Sequence, residues 1–107
     1  GLVTQVPGGV SAEHLFPVHV PPALRDRVLH EMNAAGIGVT VNYRALHRMT
    51  HYRETFGFAD DAFPVAGAWG DGTISLPLFP GLSDAEQDRV IARLRAILET
   101  LEAGAAA

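Results

Sequence analysis

Apolar residues recur at helical spacing in the segment that follows Pro21-Pro22. They fall three or four positions apart, the spacing of one buried helix face, and the charged residues, Arg25 among them, lie largely outside this stripe. Proline is favoured in the first turn of a helix, and glycine is a common left-handed cap at its end. The pattern therefore predicts a helix from Pro22 that ends at Gly36. Its stripe consists of Leu24, Val28, Leu29, Met32 and Ala35.

A longer apolar stripe near the end of the chain predicts a second helix. Ser83-Asp84-Ala85-Glu86 matches a capping box, in which the serine oxygen accepts a backbone N–H and the glutamate reaches back to the serine N–H. Gly104 is expected to end this helix, because glycine is favoured just past a helix end. The stripe is formed by Val90, Ile91, Leu94, Ile97, Leu98 and Leu101.

Three segments alternate in the manner of β-strands. The clearest is Ile37–Tyr43, in which apolar residues occupy every second position, and Leu15–Val20 and Gly72–Phe79 are further examples. Pro17 cannot donate a ladder hydrogen bond, which favours an edge position for the first strand. The stretch Phe63–Trp69 is expected to form a short helix that its glycine weakens.

The order of these elements predicts an α+β fold, a two-layer sandwich. A three-stranded, mainly antiparallel sheet carries both amphipathic helices on one face. Because a strand, helix, strand unit leaves its two strands parallel, the third strand is expected between them and antiparallel to both. The other sheet face has no predicted element to cover it, so a partner or another domain is expected there. That face carries Thr40, Asn42, Thr73, Ser75 and Phe79.

The chain of 107 residues divides into three parts. Residues 1–13 are rich in Gly, Pro, Val and Ser and are expected to be an irregular lead-in or linker, residues 14–102 to be the domain, and residues 103–107 to be a flexible tail. No segment resembles a secretory signal or has the apolar length of a membrane span. We therefore expect a cytoplasmic protein with no membrane partner.

Composition excludes several classes of function. All eight basic residues are arginine, and the chain contains neither lysine nor cysteine. Thiol nucleophiles, disulfides, cysteine-bound zinc and every mechanism that needs a lysine amine are therefore excluded for this chain. The net charge of −4 argues against nonspecific nucleic-acid binding, which draws its affinity from basic residues.

The densest chemistry lies in Val41–Gly57, which holds two tyrosines, two histidines and three arginines. His47 and His51 have the spacing of the two zinc histidines of H-E-x-x-H, but Arg48 replaces the glutamate of that motif and its charge disfavours a cation. No metal site is predicted. Ser75 and Ser83 lack the surroundings of a nucleophile elbow, so no catalytic residue is predicted either.

Two interpretations of this cluster remain open. It is either a polar surface crossing between two strands or a binding surface for a phosphorylated or sugar ligand. For the second, Arg44 and Arg48 offer planar donors, Tyr43 and Tyr52 offer rings with hydroxyls, and His47 offers a ring nitrogen. These five residues are the candidate substrate-binding residues.

Several separate motifs along the chain resemble those of one known family. They are "HLFPVHV", "GIGVTVNYRALHRMTHYRETFGF", "FPVA" and "ISLPLFPGLSDAEQDRVI". In this order they resemble the C-terminal domain of the DegT/DnrJ/EryC1/StrS sugar aminotransferases, over about Val6 to Leu98. The most specific part is "SLPL.PGL" followed by the "S-D-x-E" helix start.

This resemblance implies the small C-terminal domain of a fold type I enzyme, similar to aspartate aminotransferase, that depends on pyridoxal phosphate (PLP). Members commonly move an amino group from glutamate to a keto group of a nucleotide-linked sugar in deoxysugar biosynthesis. The resemblance also implies a homodimer whose large N-terminal domain holds PLP and the Schiff-base lysine. This chain alone is then expected to bind no PLP and to be inactive.

The resemblance carries over to only some of the cluster. Tyr43, His47 and Tyr52 correspond to the family's motif beside the sugar-nucleotide cleft, whereas Arg44 and Arg48 are added on charge alone. This chain also departs from the family, because Asn42-Tyr43 stands where many members have "HY", and "PVAG" stands where they have "P-x-A-E". The alternative is a stand-alone, non-catalytic binding or dimerisation module derived from the same fold.

Overall fold

A computed structural model describes residues 2–4, 6 and 8–106 of the chain. None of the helices in this described part is long and apolar enough to cross a membrane. The elements in chain order are β1 (Val3–Thr4), β2 (Phe16–His19), α1 (Pro22–Ala34), a 3-10 turn (Leu46–Arg48), α2 (Thr50–Phe56), α3 (Pro64–Gly72), β3 (Thr73–Leu76) and α4 (Asp84–Ala106).

The fold is α+β, with an antiparallel sheet in the order β1-β2-β3, as the strand and helix pattern predicts. Val18 lies opposite Ile74, and a single bridge joins Thr40 to Ser75 on the far side of β3. The third predicted strand therefore does lie between the other two segments and is antiparallel to both.

The predicted edge position of Pro17 is wrong, because β2 lies in the middle of the sheet. The lead-in, expected to be irregular, supplies the short strand β1, which pairs with β2 at Val18 and His19. β1 is only two residues long and carries no apolar alternation that would predict it. The proposed division of the chain at residues 13 and 102 stays a prediction.

The segment Ile37–Tyr43 alternates as predicted but pairs with the sheet only at Thr40. Ile37 and Val39 are buried, whereas the Tyr43 side chain is 66% exposed. The side-chain amide of Asn33 bonds both backbone groups of Val39, at 3.3 and 3.4 Å, on the edge that faces away from β3. In this segment, the single bridge from Thr40 to Ser75 and the two hydrogen bonds of the Asn33 side chain therefore take the place of a regular strand.

One face of the sheet packs against α1 and α4 and forms the aliphatic core. Val18, Val28, Met32, Ile74 and Leu94 are among its buried members. The Gly36 end of α1 is a Schellman motif, since Gly36 has φ of 74° and the Ile37 N–H reaches the Met32 carbonyl at 3.0 Å. The predicted capping box starts α4, with the Ser83 N–H donating to the Glu86 carboxylate at 2.8 Å.

Three details of the helices differ from the predicted patterns. Arg25, expected outside the apolar stripe, is buried and donates to the Gly70 carbonyl at 3.4 Å, because α3 lies against that side of α1. Ile91, expected inside the stripe of α4, is 45% exposed. The helix α4 continues past Gly104 to Ala106, since the flanking alanines are strong helix formers.

The second face of the sheet is not left open along its length, contrary to the expectation from sequence. Thr73 and Ser75 on that face are 0% and 5% exposed. The helix α3 continues directly into β3 without a loop. The helix therefore lies over the end of the sheet at which β3 begins. The ring of Trp69 lies 5.4 Å from the ring of His19, and His19 Nε2 is 2.9 Å from the Ala68 carbonyl. Thr40 and Phe79 remain exposed.

Candidate functional site

An open cleft of about 660 Å³ lies where the insert between the Thr40 bridge and β3 crosses the second face of the sheet. The lead-in forms one side of the cleft. The other sides are formed by α2, by α3 and by residues 42–47 after the bridge, which are called the cleft segment. Its lining residues are Ser11, His14, Leu15, Pro17, Asn42, Tyr43, Arg44, Ala45, Leu46, His47, Tyr52, Phe58, Phe63, Ala66 and Trp69.

Aromatic rings form a continuous row beside this cleft, and all members of the row except Phe56 line it. Tyr52 stacks on Phe56 with ring centroids 6.1 Å apart, and Phe56 stacks on Phe58 at 5.6 Å. Phe58 meets Phe63 edge to face at 5.3 Å, and Phe63 meets the ring of His47 at 5.2 Å. Such a row gives the cleft large planar surfaces on which a ring of a ligand can stack.

The charged members of the lining are basic. Arg44 is exposed, and His14 and His47 add two imidazole rings, while no aspartate or glutamate belongs to the lining among the described residues. Arginine presents a planar fork of donors that suits phosphate and carboxylate groups. The cleft therefore favours an anionic ligand that also carries a ring.

His47 is held in place by the loop that leads into α3. The residue is only 4% exposed, and its Nε2 lies 3.0 Å from the carbonyl oxygen of Asp60. The same carbonyl oxygen accepts a hydrogen bond from Arg48 Nε at 3.1 Å. One backbone oxygen thus ties the 3-10 turn to the loop that carries Phe58 and Phe63.

Arg48 does not line the cleft. Its Nη1 donates to both carboxylate oxygens of Asp71, at 2.9 and 2.8 Å, near the end of α3. The hydrogen bond to Asp71 raises the pKa of the Arg48 guanidinium above its ordinary value. The guanidinium is therefore engaged within the fold, between the Asp60 loop and α3.

Two glycines of α3 permit this arrangement. A Cβ on Gly67 would lie 2.7 Å from Arg48 Nη2, and a Cβ on Gly70 would lie 2.6 Å from the backbone nitrogen of Ala45. Real Cβ atoms do not approach other atoms so closely. Gly70 is therefore required beside the backbone of Ala45, whereas a side chain at Gly67 would force the end of the Arg48 side chain to move. The glycines that weaken the helix on propensity grounds are those that let it lie against the cleft segment.

The structure brings four of the five predicted site residues together in the cleft. These are Tyr43, Arg44, His47 and Tyr52, whereas Arg48 lies behind the lining. The concave shape of the cleft supports the interpretation of these residues as a ligand-binding surface rather than a polar crossing between two strands. The roles of all five residues in binding stay predictions.

Several lining residues were not predicted from the sequence. Phe58, Phe63 and Trp69 follow the cluster in the chain, and His14 precedes it by nearly thirty positions. The aromatic residues clustered around "FGF" and "FP" were a usable signal, since rings at a loop require a packing partner. The approach of His14 could not be read from sequence, because the lead-in has no periodic pattern.

The described residues contain no group of three or more His, Asp or Glu side chains arranged to hold a metal ion. His51 contacts the ring of Tyr52 at 5.5 Å and does not belong to the cleft lining. The pair His47 and His51 thus has separate surroundings.

Comparison with known proteins gives one family. The family model described as the DegT/DnrJ/EryC1/StrS aminotransferase family matches residues 2–95. The solved structure of Spr1654 from Streptococcus pneumoniae, described as a sugar aminotransferase, is similar to 99% of this chain at 27% identity, with a TM-score of 0.89. The aminotransferase TlmJ from Streptoalloteichus hindustanus is similar to 95% of the chain at 27% identity, with a TM-score of 0.81.

A third similar structure is DesV of S. venezuelae, with 25% identity over 92% of this chain and a TM-score of 0.81. The chain spans only 28% of Spr1654 and 27% of both TlmJ and DesV. Spr1654 has also been solved in forms with PLP and with its amino form, PMP. The similarity thus covers nearly all of this chain and about a quarter of each similar protein.

Proposed function

This chain belongs to the DegT/DnrJ/EryC1/StrS aminotransferase family, and we propose that it is the small C-terminal domain of a PLP-dependent enzyme that aminates a nucleotide-linked keto sugar. Family membership and the sugar aminotransferase among its similar structures support the reaction class. The nucleotide-linked substrate is what the family resemblance implies, and the charge and rings of the cleft support it.

The observation that carries the substrate proposal is the combination of charge and rings in the cleft. Arg44 supplies an exposed guanidinium, and no carboxylate side chain of the described residues lines the site. Tyr43, Tyr52 and Phe58 supply ring surfaces beside it. A nucleotide sugar carries a diphosphate, which suits the donors of an arginine guanidinium, and a planar base, which can stack on aromatic rings. Its hydroxyl groups can bond polar side chains.

The residues of this chain do not fit PLP itself. Aminotransferases hold PLP through a lysine amine, and this chain has no lysine. No chemical step is therefore assigned to the residues described here. The lysine and the cofactor belong, in this proposal, to a larger N-terminal domain, and this chain alone is inactive.

Within the cleft, we assign separate roles to the five candidate residues. Arg44 binds the phosphate groups, and Tyr43 and Tyr52 contact the base or the sugar. His47 orients the ligand from the floor of the cleft. Arg48 acts indirectly, since its Nε and Nη1 donate to Asp60 and Asp71, and it positions the loop that carries the aromatic row.

The proposal includes a partner surface that covers the open side of the cleft. Large apolar side chains around the opening are exposed, which is typical of a surface that a partner covers. They include Tyr43, Leu46, Met49, Phe56 and Phe63. We propose that the N-terminal domain and the second subunit of a homodimer close the cleft at this surface.

The test is to assay the full-length protein that carries this chain for amination of nucleotide-linked keto sugars, with glutamate as donor and product detection by mass spectrometry. The expected result is amination and the visible absorbance of bound PLP. Amination by the isolated 107-residue chain supplied with PLP would contradict the assigned inactivity. A full-length protein without PLP or turnover would instead support the non-catalytic binding or dimerisation module.

A further inference from the structure

The hydrogen bond from His47 to the Asp60 loop determines the tautomer of the imidazole ring. His47 Nε2 lies 3.0 Å from the carbonyl oxygen of Asp60. A carbonyl oxygen can only accept a hydrogen bond, so Nε2 carries the proton. In the neutral ring the other nitrogen, Nδ1, is then an acceptor.

The surroundings hold the ring in this orientation. Phe63 meets the ring edge to face at 5.2 Å, and the residue is 4% exposed. The Asp60 carbonyl is itself held by Arg48 Nε at 3.1 Å, and the Asp60 carboxylate lies 3.9 Å from Arg53 Nε. A half turn of the ring about the Cβ–Cγ bond would put Cε1 near the position of Nε2 and leave the Asp60 carbonyl without this donor.

Nδ1 of His47 is left free for a ligand. In the part of the chain that the structure describes, the ring's hydrogen bond is the one from Nε2. The buried polar side-chain atoms without a partner among the described residues are Thr73 Oγ1 and Ser75 Oγ, so Nδ1 is not sealed inside the fold. His47 lines the cleft, and its two ring nitrogens point in widely different directions.

We propose that Nδ1 of His47 is the acceptor that selects ligands with a hydrogen-bond donor at the floor of the cleft. Arg44 can only donate, so it suits the anionic part of a ligand and cannot accept a hydrogen bond from an O–H or N–H group. His47 complements it by accepting from a sugar hydroxyl or from the N–H of a pyrimidine base. This assignment rests on the proposed function, because it takes the nucleotide sugar as the ligand.

Two substitutions separate the ligand contact from the structural contact. His47→Gln places an amide nitrogen near the position of Nε2, so it can still donate to the Asp60 carbonyl but removes the acceptor at Nδ1. His47→Asn places its polar group near the position of Nδ1 and loses the bond to Asp60. We expect H47Q to keep the unfolding temperature of the wild type and H47N to lower it.

Binding is measured in the full-length protein by calorimetry with UDP-glucose and TDP-glucose as probes. H47Q is expected to weaken binding about tenfold, the loss of one hydrogen bond, without a change in stability. Wild-type affinity in a stable H47Q variant would overturn the proposal, because the ring would then serve only the fold. Nitrogen-15 NMR of the His47 ring gives a second check, since a proton on Nδ1 would also overturn it.

The source of the donor is found with modified probes. An N3-methyl uridine analogue removes the base N–H, and deoxy sugars remove single hydroxyls. The informative probe binds the wild type as weakly as the unmodified nucleotide sugar binds H47Q, and it binds H47Q no more weakly than that. The group missing from this probe is the one from which His47 accepts. If wild type binds none of the probes while NMR finds the Nε2 tautomer, the proposed substrate class has failed rather than the assigned tautomer, and the selection role falls with it.

Discussion

The two faces of the sheet are built from different chemistry. On one face α1 and α4 bury an aliphatic core in which Met32 and Ile74 are fully inaccessible. On the other, α3 and the preceding insert pack aromatic rings, arginine and histidine around a cleft that stays open. The first face gains stability from buried apolar area, and the second depends on specific hydrogen bonds and on close contacts at glycine.

This difference supports our proposal that the second face carries the function. A closed aliphatic layer has no groups to offer a ligand, whereas the cleft side keeps Arg44 and Tyr43 exposed. The cleft side also contains the buried hydroxyls of Thr73 and Ser75, which have no hydrogen-bond partner among the described residues. A protein can retain such less favourable features where binding requires them. The comparison leads to four tests, each of which affects the two faces unequally.

The largest effect is expected in the aliphatic layer. Ile74→Ala should lower the free energy of unfolding by about 3 kcal/mol, because the side chain is 0% exposed and its removal leaves a cavity. Urea unfolding measures the change. Ile91→Ala is the matched control, since Ile91 is 45% exposed, and its effect should be well below 1 kcal/mol. Equal losses in the two variants would show that this layer is not the stabilising core.

A smaller loss is expected where α3 approaches the cleft segment. Gly70→Ala should destabilise by about 2 kcal/mol, because the new methyl would meet the backbone of Ala45 at 2.6 Å. Gly104→Ala, in α4 with open space around it, should instead stabilise by up to about 1 kcal/mol. Thermal unfolding of both variants checks the difference in sign. A neutral G70A variant would argue against close packing between α3 and the cleft segment.

The two neighbouring arginines should differ in what they affect. Arg44→Gln is expected to weaken binding of a nucleotide diphosphate sugar at least tenfold with little change in stability, since Arg44 is exposed in the cleft. Arg48→Gln should lower the unfolding temperature, because the guanidinium links Asp60 and Asp71, and should weaken binding less than R44Q does. Calorimetry and thermal unfolding of both variants measure this. If R48Q weakened binding more than R44Q while R44Q lowered the unfolding temperature more, the anion would bind at Arg48 instead.

The smallest effect concerns the start of α4 and depends on pH. Hydrogen bonds from the Ser83 backbone and hydroxyl lower the pKa of Glu86 below its ordinary value. A folded-state pKa below the unfolded one stabilises the protein at neutral pH, and this contribution is lost as the pH falls through the folded-state pKa. The stability gap between wild type and Glu86→Gln should therefore shrink in acid.

Ser83→Ala provides the companion measurement at neutral pH. Loss of a serine cap costs about 1 kcal/mol in general, and the variant should also remove most of the pH dependence that Glu86 contributes. Urea unfolding at several pH values measures both quantities. A gap between wild type and E86Q that stays constant from neutral to acid pH would contradict the lowered pKa of Glu86.

Local patterns predicted the helices well and the edges of the sheet poorly. The Ser83 box and the Gly36 cap act within one helical turn, so the sequence is enough to identify them. The short strand β1 and the central place of β2 depend on a contact between distant segments. Tyr43 likewise continues an alternating pattern yet is exposed, because the chain has left the sheet by that point.

The sequence by itself determined the fold class, the family and the neighbourhood of the cleft, because apolar periodicity, caps and motif order are local properties. Only the tertiary structure decided between the two arginines, since Arg48 bonds Asp71 twenty-three positions away, while Arg44 has no carboxylate beside it in the cleft among the described residues. It also decided which nitrogen of His47 bonds within the fold, because Nε2 meets a carbonyl thirteen residues further along the chain. Side-chain roles set by contacts across loops cannot be obtained from spacing, and these contacts give the cleft its chemistry.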